Sequence, residues 1–373
     1  MIVLQEEEQK LGYFDQIHHG PYGLPPTPLQ SPQPSKQDPT SVPMMSAPSC
    51  ISVPPSPPPT PLLPQSCQLP QSKIVNHRLN TEFEAQYTLI DELGSGGFGF
   101  VMSARRHCDQ REVAVKFIIK SKVTATGWQN DPQLGMIPVE IFILRNVRHE
   151  NIISYIDTFQ DTKYFYLVME LHGSPWQSKT NSYSDNSLSK DTCSPRPGAM
   201  TRRTSCDLFE CIEEHTRFPE DTARTIFLQI VACIYYLDQI GISHRDIKDE
   251  NIVIDQNYHV KLIDFGSAVF LRPGRGKYHT KFHGTASFAS PEILMGEAYR
   301  AEPADIWSLG VLLYTMLYGD VPFNDSMHVI TQQYTTPKIE SSKECTHLLD
   351  WMLAKHPDQR ATIHDVMNHP WLN

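Results

Sequence analysis

The sequence predicts an α+β chain of two lobes, a β-rich one followed by a larger α-helical one, preceded by a disordered Pro-rich tail. Three observations carry that prediction. From about Pro21 to Pro70 the chain is dominated by Pro, Ser, Gln and Thr. From Tyr87 to Glu170 short apolar and β-branched runs recur with strand-like spacing. Beyond Asp207 the apolar residues fall at helical spacing instead.

Each element follows in order. Residues 1–80 read as the tail, because proline removes backbone donors and small polar residues bury too little surface to offset the entropy of ordering. Ser31-Pro32, Ser56-Pro57 and Thr60-Pro61 are candidate proline-directed phosphosites in a docking tail; a plain solvated tail is the alternative. Tyr87 to Leu93 is a strand-like run ending in glycines, Val101 to Arg105 a second strand, and Glu112 to Ile119 a third. Pro138 precedes Val139 to Leu144 and suits the first turn of a helix. Ile152 to Phe159 and Tyr164 to Glu170 complete the sheet, so residues 87–172 form the first lobe. The polar stretch 173–206 is too long for an ordinary connection and reads as a flexible insertion. Ala223 to Leu237, Ala304 to Leu317 and His364 to Leu372 are helices of a second lobe, 207–372.

Composition narrows the functions open to the chain. Its 373 residues can hold one large domain or two modest ones, and its formal net charge of −10 argues against nucleic acid as a partner. The eight cysteines contain no C-x-x-C pair, which suggests reduced thiols in an intracellular protein. No run approaches the roughly 18 apolar residues of a membrane helix. Met1 to Lys10 carries glutamates rather than a basic region and an apolar run. A cytoplasmic location, nuclear as well, is expected, with no membrane partner.

Four motifs carry chemistry. Gly94-Ser95-Gly96-Gly97-Phe98-Gly99 contains G-x-G-x-x-G. By itself this marks dinucleotide sites too, or an ordinary turn, but a dinucleotide site needs a helix starting at the glycines. Here they lie between two strands, which fits a hairpin whose amides cover ATP phosphates. Lys116, in Val113-Ala114-Val115-Lys116, places an ammonium on a strand that would otherwise be buried, so it needs anions nearby. Glu140 on the following helix is the expected partner, and the pair would hold the α- and β-phosphates. A surface lysine near a surface glutamate is the bland alternative.

His244-Arg245-Asp246-Ile247-Lys248-Asp249-Glu250-Asn251 is the strongest signal. Asp246 can accept the proton of a substrate hydroxyl, Lys248 can neutralise charge on a transferring phosphoryl group, and Asn251 can ligate a metal ion. Asp264-Phe265-Gly266 supplies the principal carboxylate for Mg²⁺, which prefers a few oxygen ligands completed by phosphate and water. Further on, Glu292 and Arg360 are expected to form a buried ion pair tying Ser290-Pro291-Glu292 to the helical lobe. Asp305-Ile306-Trp307 is expected to anchor the catalytic loop from beneath.

These motifs, in this order over about Tyr87 to Leu372, resemble the eukaryotic protein kinases. Asp131-Pro132-Gln133-Leu134-Gly135, the Asp249-Glu250 pair in the catalytic loop and Lys261-Leu262-Ile263-Asp264-Phe265-Gly266-Ser267-Ala268 narrow this to the catalytic domain of PAS kinases, with Pim kinases next. The resemblance implies a bilobal protein kinase fold, ATP and Mg²⁺ as cofactors, and protein substrates with Ser or Thr acceptors, basic residues upstream, in signalling or metabolic regulation. It implies that Leu93 and Gly94 to Gly99 cover the nucleotide, that Val101 and Ala114 contact adenine from above, and that Val253 does so from below. Met169 would be the gatekeeper, Glu170 and His172 would belong to the hinge, and Asp207 would face the ribose or a basic substrate residue. Thr285 would hydrogen-bond near Asp246 and Lys248.

Two departures and one further motif add expectations. The residues before Tyr87 are too few and too proline-rich for a PAS sensor. Many relatives carry a phosphorylatable Thr three residues before the glycine that matches Gly284, whereas this chain has Lys281 there and Thr280 before it. Activation without a phosphate is therefore expected, with Arg245 lacking a phosphate partner. In the insertion, Arg202-Arg203-Thr204-Ser205 gives Ser205 the arginines of a basophilic autophosphorylation site, a chance basic pair being the alternative. The competing classes are a pseudokinase scaffold and, from the glycines alone, an NAD(P) oxidoreductase.

Overall fold

The structure is a computed structural model that describes residues 77–174, 206–271, 278–335 and 337–373. Most of the proposed tail, with its Ser-Pro and Thr-Pro sites, and most of the insertion, with Ser205, lie outside the described residues.

The first lobe is built on a five-stranded antiparallel sheet of order β1-β2-β3-β7-β6: β1 Tyr87–Ser95, β2 Gly99–Arg106, β3 Glu112–Ile119, β6 Tyr155–Gln160 and β7 Tyr164–Glu170. Both faces of β3 and β7 are covered, which is why they read as near-continuous apolar runs. The period of two still sorts their side chains. Val113, Val115 and Phe117 face an outer aromatic cluster with Tyr164, Tyr166 and Val168, whereas Ala114, Ile118, Phe165, Leu167 and Met169 belong to the main core. Lys116, between Ala114 and Ile118 on the main-core side, is thereby aimed into the space between the lobes.

A short helix α1, Thr81–Gln86, seals the outer cluster by inserting Phe83, which is fully buried against Tyr87, Phe117, Phe159 and Tyr166. Asn80 caps it, accepting hydrogen bonds from the Glu82 and Phe83 amides. The end of the tail is corrected here: His77 to Asn80 belong to the folded lobe. His77 Nε2 lies 2.6 Å from Asp161 Oδ2, the Asn80 side chain donates to the Gln160 carbonyl at 2.9 Å, and the Tyr166 hydroxyl donates to Asp161. A six-residue helix has too few turns to show a period; its signal is the Asn cap three residues before a lone Phe.

A second unforeseen element is the hairpin of β4 Trp128–Asp131 and β5 Gly135–Pro138. Its turn is held by Asp131, which accepts from the Gln133 and Leu134 amides at 2.9 Å and from Arg145 Nη1 at 2.7 Å, while Gly135 adopts φ +70°. The hairpin delivers the chain into α2, Val139–Asn146, with Pro138 at the cap position rather than inside the first turn.

The second lobe contains α3 Leu208–His215, α4 Glu220–Gln239, the short strands β8 Ile242–Ser243, β9 Ile252–Ile254, β10 Val260–Leu262 and β11 Val269–Phe270, then β12 Tyr278–His279, α5 Pro291–Leu294, β13 Tyr299–Arg300, α6 Ala301–Tyr318, α7 Ser326–Thr331, α8 Lys343–Met352 and α9 Ile363–Met367. The last helix is shorter than expected. Pro370 disfavours helical geometry at His369, and Trp371 turns into the core to donate its indole N–H to Glu220 at 2.7 Å.

Arg360 and Glu292 form the expected buried pair through two bonds of 2.9 and 3.0 Å, and Arg360 also donates to the Pro303, Ala354 and Lys355 carbonyls. Burial raises the Glu292 carboxyl, but its bonds to Arg360 outweigh this and hold it below the usual range. Arg360→Met is expected to cost roughly 3–5 kcal/mol in urea denaturation, since it leaves a buried carboxylate alone. The sign with pH follows from the depressed value: the stabilisation is complete above the ordinary carboxylate pKa and is lost as pH falls through the folded one. The stability gap between the parent and Glu292→Gln should therefore be flat near neutrality and close only in acid.

Candidate active site

The site is assembled where β3, α2 and the loops after β8 and β10 converge. Lys116 Nζ lies 2.6 Å from Glu140 Oε1 and 2.9 Å from Asp264 Oδ1. Burial alone would lower the lysine, but Asp264 and Glu140 outweigh it and keep the ammonium charged. Burial likewise pushes the Glu140 carboxyl up, opposed chiefly by Lys116. Asp264 is driven upward by burial too, yet Lys116 and the Gly266 amide hold it below the usual range. Its backbone is left-handed, φ +61°, an uncommon conformation for a non-glycine residue that turns the carboxylate back toward Lys116.

The catalytic loop is fixed from below by Asp305 in α6, which is 4% exposed. Its carboxylate accepts from the Ser243 hydroxyl at 2.6 Å and from the amides of His244 and Arg245 at 3.0 and 2.8 Å. His244 Nε2 in turn lies 3.1 Å from the Ile263 carbonyl, and its ring meets Phe265 edge-on. The loop bearing Asp246 and the loop bearing Asp264 are thus positioned together.

Asp246 sits among donors. Its Oδ1 accepts from the amide and hydroxyl of Thr285 at 3.1 and 3.3 Å, and its Oδ2 from Asn251 Nδ2 at 3.0 Å. Asn251 Nδ2 also donates to the Asp246 carbonyl, which fixes the orientation of its amide. Lys248 donates to Glu250 at 2.5 Å, the Glu250 bond and the charges of Asp246 and Asp264 raising it against the burial that would lower it.

The glycines form a strand–loop–strand hairpin, closed by a 2.9 Å bond from the Gly96 amide to the Gly99 carbonyl. A β-carbon at Gly99 would stand 1.9 Å from the Phe117 carbonyl, so glycine is needed there for β2 to pair with β3; at Gly94, Gly96 and Gly97 one would meet nothing within 4 Å. No helix begins at these glycines, which removes the dinucleotide reading. Val101 pairs across from Lys116, and Ala114 from Met169. Leu93, Val101 and Val253 are half-buried against the main core, and Asp207 bridges to Val253 by backbone pairing while capping α3.

Two expected nucleotide residues use their side chains elsewhere. Glu170 pairs with Lys261 Nζ at 2.9 Å and accepts from the Ser154 amide at 2.7 Å, while His172 Nε2 lies 2.9 Å from the His259 carbonyl. Only the backbone of these hinge residues is left to meet a base.

A cleft of about 420 Å³ runs from Lys116 and Asp264 past Arg245 to Thr280 and Lys281. Here Arg245, 9% exposed and in left-handed backbone geometry, does have a partner that the sequence did not suggest: its Nη1 lies 3.2 Å from His279 Nδ1.

The protein kinase domain model matches residues 87–193 and 199–372. The chain is similar to the PAS domain-containing serine/threonine-protein kinase of Mus musculus, 39% identical over 294 residues that cover 78% of this chain and 19% of the mouse protein. It is similar to serine/threonine-protein kinase PSK2 of Saccharomyces cerevisiae, 33% identical across 81% of this chain and 25% of the yeast protein. Serine/threonine-protein kinase pim-2 of Danio rerio is 31% identical over 82% of this chain and 91% of its own length. The chain therefore spans only about a fifth to a quarter of the mouse and Saccharomyces cerevisiae relatives, but nearly all of the third.

Proposed function

Since the chain belongs to the protein kinase family, we propose that it transfers the γ-phosphoryl group of ATP to Ser or Thr hydroxyls of proteins, in PAS-kinase-like signalling or metabolic regulation. The observation that carries this reading is Asp246, bonded to Thr285, on a loop that His244 ties to the Asp264 loop and so to the Lys116–Glu140–Asp264 cluster. The hairpin amides and Lys116 would hold the phosphates, and Asp246 would take the hydroxyl proton.

The donors present fit Mg²⁺. Asp264 offers a carboxylate and Asn251 an amide oxygen, hard ligands that leave room for phosphate and water oxygens. The ion would supply charge neutralisation on the phosphates; the residues themselves supply alignment. Asp207, Glu210 and Glu250 support basic residues upstream of the acceptor. A cytoplasmic and nuclear location, and docking partners for the Pro-rich tail, belong to the same proposal.

Label transfer from γ-labelled ATP to a basic Ser peptide tests it. Transfer that is present in the parent and lost in Asp264→Asn supports the reading; a parent that binds nucleotide without transferring label would make the chain a scaffold instead.

Loop phosphorylation is a separate matter. Because His279 already occupies Arg245 and Lys281 stands at the usual acceptor position, Thr280→Ala is expected to keep turnover within about threefold of the parent. Loss of activity that a phosphomimic restores would show the opposite.

A further inference from the structure

Two hinge residues, Glu170 and His172, turn their side chains onto the 259–261 stretch of the other lobe, Glu170 onto Lys261 in β10 and His172 onto the His259 carbonyl just before it. That lysine donates to the Glu150 carbonyl at 2.8 Å as well as pairing with Glu170 at 2.9 Å. Glu170 simultaneously accepts from the Ser154 amide. One ammonium therefore gathers the hinge and both ends of the 150–154 segment that follows α2, the helix carrying Glu140.

Its place on the strand gives the contact a consequence. Lys261 is the direct antiparallel partner of Val253, and directly opposed residues project from the same face of a ladder. On the other side of the hinge, Glu170 and Met169 pair with Val113 and Ala114 of β3. The roof strand, the hinge, and the floor strand with Val253 are thus connected through a half-buried ion pair, beside a backbone bond from the Ser174 amide to the Ile254 carbonyl. Burial would raise the Glu170 carboxyl, yet the bonds from Lys261 and Ser154 bring it below its ordinary value. The lysine side chain is 16% and the glutamate 30% exposed, dry enough that the interaction is not a solvent-screened surface pair. The segment itself is also held to β10 by backbone: the Ile153 amide donates to the Leu262 carbonyl, and the Leu262 amide to the Asn151 carbonyl.

We infer that Lys261 is a positioning residue for the nucleotide: through Glu170 it clamps the hinge from behind and fixes the gap between Ala114 and Val253. It touches neither substrate nor reacting atoms. His172, bound to the His259 carbonyl, is a second and weaker point of the same clamp. The inference rests on the chain binding ATP in this cleft, so its test reads nucleotide binding apart from transfer.

The full chain is measured as the parent, Lys261→Met, Lys261→Arg, Glu170→Gln and the double variant Lys261→Met/Glu170→Gln. A fluorescent ADP analogue reports affinity, and peptide phosphorylation reports KM for ATP and kcat. Lys261→Met and Glu170→Gln should each weaken nucleotide binding and raise KM roughly fivefold, with kcat changed less than about twofold. The double variant should be no worse than either single one, because both remove one interaction, and Lys261→Arg should restore most of the affinity. With a parent that binds and turns over normally, additive effects, equal losses in Lys261→Arg and Lys261→Met, or unchanged affinity in Lys261→Met and Glu170→Gln would overturn the clamp alone. A parent with no nucleotide affinity would overturn the ATP site and the clamp together.

Discussion

Lys116→Met is expected to lower turnover on the order of 10³-fold or more, the largest functional effect of any single substitution in the cleft. The reason is that Lys116 supports two carboxylates with different tasks. It is 2.6 Å from Glu140, which fixes α2, and 2.9 Å from Asp264, the proposed metal ligand. Remove the ammonium and these carboxylates face each other without an intervening cation. Burial already pushes Glu140 upward and Asp264 pushes it further, so Glu140 would take a proton and α2 would lose its tether. In the proposed transfer the lost cation is also the group that would meet the phosphates. A fall in stability would accompany the fall in rate, and the two must be told apart. In Lys116→Met/Glu140→Gln only Asp264 is left without its cation, so the thermal midpoint should return part of the way to the parent while turnover stays absent. Recovery of turnover in that double variant would show that Lys116 acts through folding alone.

How far this cleft is legible in sequence depends on the range of the interactions that form it. Lys116, Asp246, Asn251 and Asp264 can be read directly, because each sits in a local motif whose strand or loop sets its direction. The alternation that puts Lys116 on the main-core face is visible in Val113 to Ile118 itself. The partners are less legible as the contact becomes less local. Glu140 could be named because it lies on the next helix, and Arg360 for Glu292 because both belong to recurrent motifs. Nothing near Glu170 or His172 shows that their side chains reach Lys261 and the His259 carbonyl, about 90 residues onward. The same holds for His279 against Arg245.

The second large effect concerns an element with no period to detect. Phe83→Ala is expected to destabilise the first lobe by roughly 3–5 kcal/mol, because a fully buried ring is replaced by a cavity among rings that cannot close around it. Phe83→Leu, which keeps most of the volume, should cost clearly less. Removing residues 77–86 altogether should cost more than Phe83→Ala. It deletes the Asn80 cap and the His77–Asp161 contact, and it uncovers the outer faces of Tyr87, Phe117, Phe159 and Tyr166 at once. A chain starting at Tyr87, where the family match begins, should therefore melt about 10 °C or more below the same chain starting at residue 77 and aggregate as it does so. The loss should reach function by way of the sheet. Phe117 packs against Phe83 on one face of β3, and its neighbour Lys116 faces the cleft on the other, so loosening the outer cluster lets β3 move relative to α2. Nucleotide affinity should fall in Phe83→Ala even at temperatures where most molecules remain folded. Equal melting of the two truncations would show that α1 merely rides on the lobe and that the sheet closes its own outer face.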